Sequence, residues 1–214
     1  MQGINETKIK RSITRRNDIS YIRGTISIRF LILFIIGIII GGVVFSSSYI
    51  DRSALDAATV KMHFDSIFVG CETISDSLLT VLLLSELEIR YLFLIFISGF
   101  TYFCFIASGF MMLGRGFLLG FSSSCLIYLH VDSPETITRG AVVGFVIFNV
   151  IASFILIYLS VSAYIFSFDF RAIKRNHFVL RRAPIIYKYA FSLVLSLGGL
   201  LMNNLIYCIY FYFL

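Results

Sequence analysis

Residues able to do chemistry are few in this chain, and their placement decides which chemistry is open to it. Ser122, Ser123 and Ser124 follow Gly120-Phe121, a context that could present a nucleophile. A nucleophilic serine needs a neighbouring base. No histidine or lysine shares this apolar run, and His63, His130 and His177 fall in three separate connections or rims. No HExxH pattern and no carboxylate pair inside an apolar run offers a metal site. Cys71, Cys104, Cys125 and Cys208 show no CxxC spacing, and three of them lie in apolar runs where small hydrophobes belong. The reading is a protein with no catalytic set, no cofactor and no metal.

The polar groups inside the apolar runs are suited to holding helices together. Ser192, Ser196, Gly199 and Asn203 fall at i, i+4, i+7 and i+11, one narrow helix face, and Asn149 and Ser153 occupy corresponding spacing upstream. Hydrogen bonds between helices in lipid contribute about 0.6–2 kcal/mol each. Gly37-xxx-Gly41, Gly116-xxx-Gly120 and Gly140-xxx-Gly144 are small-xxx-small patterns that let helix backbones approach closely. Gly114-Arg115-Gly116 reads as a very short turn, its guanidinium reaching from the rim to the headgroups. Ion or proton transport usually displays an acid, lysine or histidine at membrane depth. None stands near the centre of a span in this partition.

These residues must be positioned by an all-α integral membrane protein. Of the 214 residues, 58% are hydrophobic and only 14% charged, against about 25% charged in a soluble domain. A basic tail, 1–29, precedes a single membrane domain, 30–214, with five spans expected at about 30–49, 91–113, 117–131, 140–166 and 189–213. The basic leader is too long, and its apolar run too extended, for a cleaved signal peptide. Between the first two spans, Phe64, Phe68, Ile74 and Leu78 recur at helical spacing opposite Asp65, Glu72 and Asp76. That pattern predicts an amphipathic helix over 64–84 outside the membrane, and its acidic face makes these seven residues the candidate partner-binding surface. Ser85 to Glu88 has the capping-box spacing that would open the second span. The partition gathers fourteen of the 18 basic residues on one side, which places the amino terminus in the cytoplasm and the carboxyl end outside. Tyr49, Tyr91, Tyr128, Tyr187 and Tyr189 are expected at the rims. The net charge of +6 thus serves the membrane surface, with no nucleic-acid partner; self-association is left open.

Leu113-Gly-Arg-Gly-Phe-Leu-Leu-Gly-Phe-Ser122 resembles the basic-Gly-x-x-x-Gly-Phe turn of the stage II sporulation protein M family. The similarity extends, as architecture, to the basic tail, the glycine-bearing first span, the outer amphipathic segment, an asparagine in the fourth span, the basic loop and the terminal span. Ile106 and Phe148 stand where the family pattern carries prolines. The resemblance implies a non-enzymatic scaffold for forespore engulfment during sporulation. Its implied place is the mother-cell membrane at the engulfing septum, where it would anchor two peptidoglycan-remodelling partners, the stage II sporulation proteins D and P. The rival expectation is a permease or export subunit coupled to a cytoplasmic ATPase through Arg115 and the 171–188 loop.

Overall fold

The computed structural model describes residues 3–50, 74–132, 139–175 and 182–212, with side chains over 22–47, 86–128, 130–131, 139–171 and 184–210. Five helices make it up: α1 (Gly3–Ile50), α2 (Ile74–Ser98), α3 (Cys104–Asp132), α4 (Arg139–Arg175) and α5 (Arg182–Tyr212). Among the described residues there is no strand. Four stretches are long and apolar enough to cross a bilayer: Ile22–Ser47, Cys104–Tyr128, Arg139–Arg171 and Pro184–Tyr210. Ile39, Phe110 and Val194 are more than half exposed, whereas Ser108, Ser153 and Ser160 are fully buried. A water-soluble bundle arranges these residue types the other way round, so the outer surface is one that lipid solvates.

The first two glycine pairs meet each other. α1 and α3 run parallel, and a Cβ on Gly37 or Gly41 would overlap the carbonyl of Leu113 or Phe117. Reciprocally, a Cβ on Gly116 would overlap the carbonyl of Phe34, and one on Gly120 that of Ile38. Only glycine admits this backbone-to-backbone approach, which maximises dispersion between helices that gain nothing from hiding apolar surface in lipid. Phe30 on Phe105 and Phe45 on Phe121, each with ring centroids 5.5 Å apart, close the seam at its two ends. Gly144 of the third pair abuts the Tyr210 ring, and Tyr210 donates to the carbonyl of Gly140 at 3.1 Å, tying the start of α4 to the end of α5.

Gly114-Arg115-Gly116 is not a turn. α3 passes through it unbroken, and the chain reverses instead at 99–103, so the expected spans 91–113 and 117–131 are divided at the wrong place. The physical reason is that Gly116 serves packing against α1, while the reversal is built from a mainly aromatic segment without a charged or proline break. Its backbone closes on itself, Thr101 N–H donating to Ser98 O at 2.9 Å, and Thr101 Oγ1 reaches the same carbonyl at 2.7 Å. Ser167 Oγ then donates to Thr101 O at 2.9 Å, fixing the turn to the end of α4. Tyr189 is buried near the start of α5: its ring is sandwiched between Phe96 and Phe166, at 4.6 and 4.2 Å, and its hydroxyl donates to Phe96 O at 2.8 Å. The end of α2, the end of α4 and the start of α5 are thereby held together.

The expected helix start at Ser85 is also corrected. α2 begins at Ile74 and runs straight through Ser85–Glu88, because the helical periodicity upstream continues without interruption. Of the amphipathic segment 64–84, residues 74–84 form the first part of α2, and Ile74, Asp76 and Leu78 lie on it. Phe64, Asp65, Phe68 and Glu72 lie outside the described residues.

The glycine seam yields a sharp contrast. Gly37→Ala or Gly116→Ala should lose about 1–3 kcal/mol of stability through overpacking against rigid backbone. Gly198→Ala, where an added Cβ meets nothing within 4 Å, should be neutral or slightly stabilising. Reversible unfolding of the purified protein in mixed micelles measures both.

Candidate functional site

The new turn position brings two charges together. Glu88 on α2 and Arg115 on α3 lie at nearly equal distances along the chain from Thr101, so an antiparallel hairpin reversing there sets them side by side. Arg115 stands eleven residues into α3, about 16 Å from its start at 1.5 Å per residue, and within one residue of the middle of the apolar stretch Cys104–Tyr128. Both side chains are buried, Glu88 6% and Arg115 7% exposed. The guanidinium is therefore a core group at mid-depth, not one reaching from a rim, and the expectation that no span carries a central charge is corrected.

Arg115 Nη2 donates to Glu88 Oε1 at 2.7 Å and to Asn149 Oδ1 on α4 at 2.8 Å. The second carboxylate oxygen, Glu88 Oε2, accepts from Asn204 Nδ2 on α5 at 3.0 Å. One carboxylate and one guanidinium thus join α2, α3, α4 and α5. The asparagines are themselves oriented: Asn149 Nδ2 donates to Phe145 O at 2.8 Å, and Asn203 Nδ2 bridges to Phe148 O at 3.1 Å and Asn204 Oδ1 at 3.4 Å. Ser153 Oγ bonds back to Asn149 O at 2.8 Å.

In a medium without water such a pair persists only when geometry and extra hydrogen bonds compensate its desolvation. Here both carboxylate oxygens are engaged. Arg115 Nε is the exception, buried with no hydrogen-bond partner. Glu86 and Arg90, on the same helix, form a separate i, i+4 pair on the outer surface of the bundle. Glu88 and Arg115 are each bonded to partners from other helices.

The other sequence-selected residues sort themselves by element. Gly116 and Gly120 form the α1–α3 seam. Ser192, Ser196, Gly199 and Asn203 all face inward on α5, with Gly199 against Ile155 and Asn203 on α4 backbone, so the two small-polar faces of α4 and α5 meet. Ser192 Oγ is spent on its own helix at Tyr189 O, 2.7 Å away, and Ser196 Oγ is buried with no partner. Ser122, Ser123 and Ser124 lie along α3 beside a shallow lipid-side groove of about 550 Å³, with no titratable group among its lining residues. Among the described residues, no three of His, Cys, Asp and Glu converge as a metal site. Glu88 and Asn204 were missed by sequence reasoning. The signal for Glu88 was an acid that helical periodicity places on the apolar side of α2.

No family model, no curated protein and no solved structure matches this chain.

If the asparagines are structural links, Asn149→Leu and Asn204→Leu should each cost about 1 kcal/mol in micelle unfolding. Ser196→Ala should cost nothing or stabilise, because it removes a buried hydroxyl that bonds to nothing.

Proposed function

We propose that this chain is a non-enzymatic, multi-pass membrane scaffold. The observation that supports this is the engagement of both Glu88 oxygens by donors from two other helices. A carboxylate that carries ions must exchange ligands during its cycle, whereas one held from both sides ties elements together. The aromatic clamp at Tyr189 and the glycine seam work in the same sense, toward one fixed arrangement of helices.

In this reading α2 crosses the membrane as well, and α1 to α5 alternate in direction as five spans. Ser98, Thr101, Ser167 and Tyr189 share one end of the bundle, together with Arg171, Lys188 and the basic tail of α1. The positive-inside rule assigns that end to the cytoplasm. Removal of Arg115 from the tally leaves the asymmetry intact. The stretch leading into α2, with Asp65 and Glu72, and the first turn of α2, with Asp76, then lie outside and are available to partners.

The resemblance to the stage II sporulation protein M family narrows the reading further. It supports a role in engulfment, holding the stage II sporulation proteins D and P at the septal membrane of the mother cell. The stretch that carries this resemblance is a helix-packing seam, so it speaks for shared architecture; the partners come from the family alone. A permease coupled to a cytoplasmic ATPase is the second reading, and the charged pair at membrane depth is the observation in its favour.

Charge reversal of the outer segment separates the two. Asp65→Lys, Glu72→Lys and Asp76→Lys together should abolish co-purification of both cell-wall partners from sporulating cells while the protein still inserts. Undiminished capture would remove the docking surface. Solute flux through the purified protein in liposomes would replace the scaffold with the permease.

A further inference from the structure

A second polar site lies at the basic end of the bundle, away from the Glu88–Arg115 pair. A cleft of about 290 Å³ opens between α1, α4 and α5, with Arg23, Asp169 and Lys188 at its mouth. It extends along α4 from Asp169 to Tyr158, eleven residues or about 16 Å. Its character changes along that length. The mouth is charged, Ser162 stands part of the way down, and Ile165 and Tyr158 give the deeper walls apolar surface.

Arg23 and Lys188 form no ion pair among the described residues, and both are exposed. Asp169 contributes one opposing charge, which leaves the mouth net positive. Two cations on different helices, facing one opening at headgroup level, form a mount for a phosphate; the apolar continuation suits the hydrocarbon attached to it. Basic clefts between membrane helices on the cytoplasmic side hold anionic headgroups in this manner. At about 290 Å³ the cleft is at the small end of ligand cavities, room for one headgroup.

We propose that this cleft is a binding site for one anionic phospholipid, its phosphodiester between Arg23 and Lys188 and an acyl chain lying along α4 toward Tyr158. The inference needs the helices to be embedded in a bilayer, and it is independent of whether the protein is a scaffold or a permease. A lipid held there bridges α1 to the α4–α5 pair at the point where the basic tail of α1 leaves the membrane. The site would make tail position sensitive to the anionic lipid content of the inner leaflet.

The test is native mass spectrometry of the full chain released from micelles containing phosphatidylglycerol or phosphatidylcholine. One phosphatidylglycerol should be retained per chain, and phosphatidylcholine should not. Arg23→Gln with Lys188→Gln should weaken retention on the order of twenty-five-fold, at roughly fivefold for each charge removed. Arg139→Gln, exposed at the other end of α4, controls for general loss of charge and should leave retention unchanged. Ser162→Leu keeps both charges but fills the cleft, and should also lose the lipid. Equal retention by wild type and the double variant, or equal retention of both lipids, would overturn the site. Displacement by millimolar inorganic phosphate would assign the cations to a soluble anion and overturn the lipid.

Discussion

A carboxylate and a guanidinium buried together between helices have no water to fall back on. Their hydrogen-bonding positions call for protein partners from more than one helix, a demand that leaves Arg115 Nε unmet. Glu88 and Arg115 impose that demand on this bundle. Asn149 and Asn204 answer it from α4 and α5, so the register of four helices is set by one polar cluster. Buried pairs of this kind add little net stability compared with apolar residues of similar size; in some systems their value lies in excluding alternative arrangements. Sliding α2 by one turn against α3 would leave an uncompensated charge in lipid, which is a heavier penalty than any loss of apolar packing.

Two features bring the pair together without a polar loop. The reversal at 99–103 is short and aromatic, and it is stabilised by Ser167 from α4 and by the Phe96–Tyr189–Phe166 stack. Gly116 and Gly120 let α3 lie against α1 on one side while the Arg115 guanidinium points into the bundle on the other. α3 therefore meets α1 backbone to backbone, and through Arg115 it reaches both Glu88 on α2 and Asn149 on α4. The cleft at the basic end adjoins this part of the bundle, lined by Tyr189 and Phe166 of the aromatic stack.

The helical class, the first and last spans and the glycine patterns were legible because each is a local property of composition or spacing. Asn149, Ser153, Gly199 and Asn203 could be placed on two facing seams for the same reason. The turn was not legible. An arginine between two glycines has the local signature of a loop, and Gly99-Phe100-Thr101-Tyr102-Phe103 has the signature of a continuing span. Which signature prevails depends on whether a distant acid is available to neutralise Arg115, and that is a tertiary fact. Ser85–Glu88 misled in the same way: the spacing of a cap was real, but Glu88 belongs to the interior of a longer helix.

Glu88 and Arg115 act as a unit. Glu88→Leu, Arg115→Leu and the double substitution, compared by reversible unfolding in the same micelles, test this directly. Each single change leaves one buried charge alone and should cost about 3–5 kcal/mol. The double change leaves none and should recover most of that loss, giving a large favourable coupling. Additive losses, with the double variant as unstable as the two singles together, would contradict the claim that Glu88 and Arg115 hold the bundle through each other.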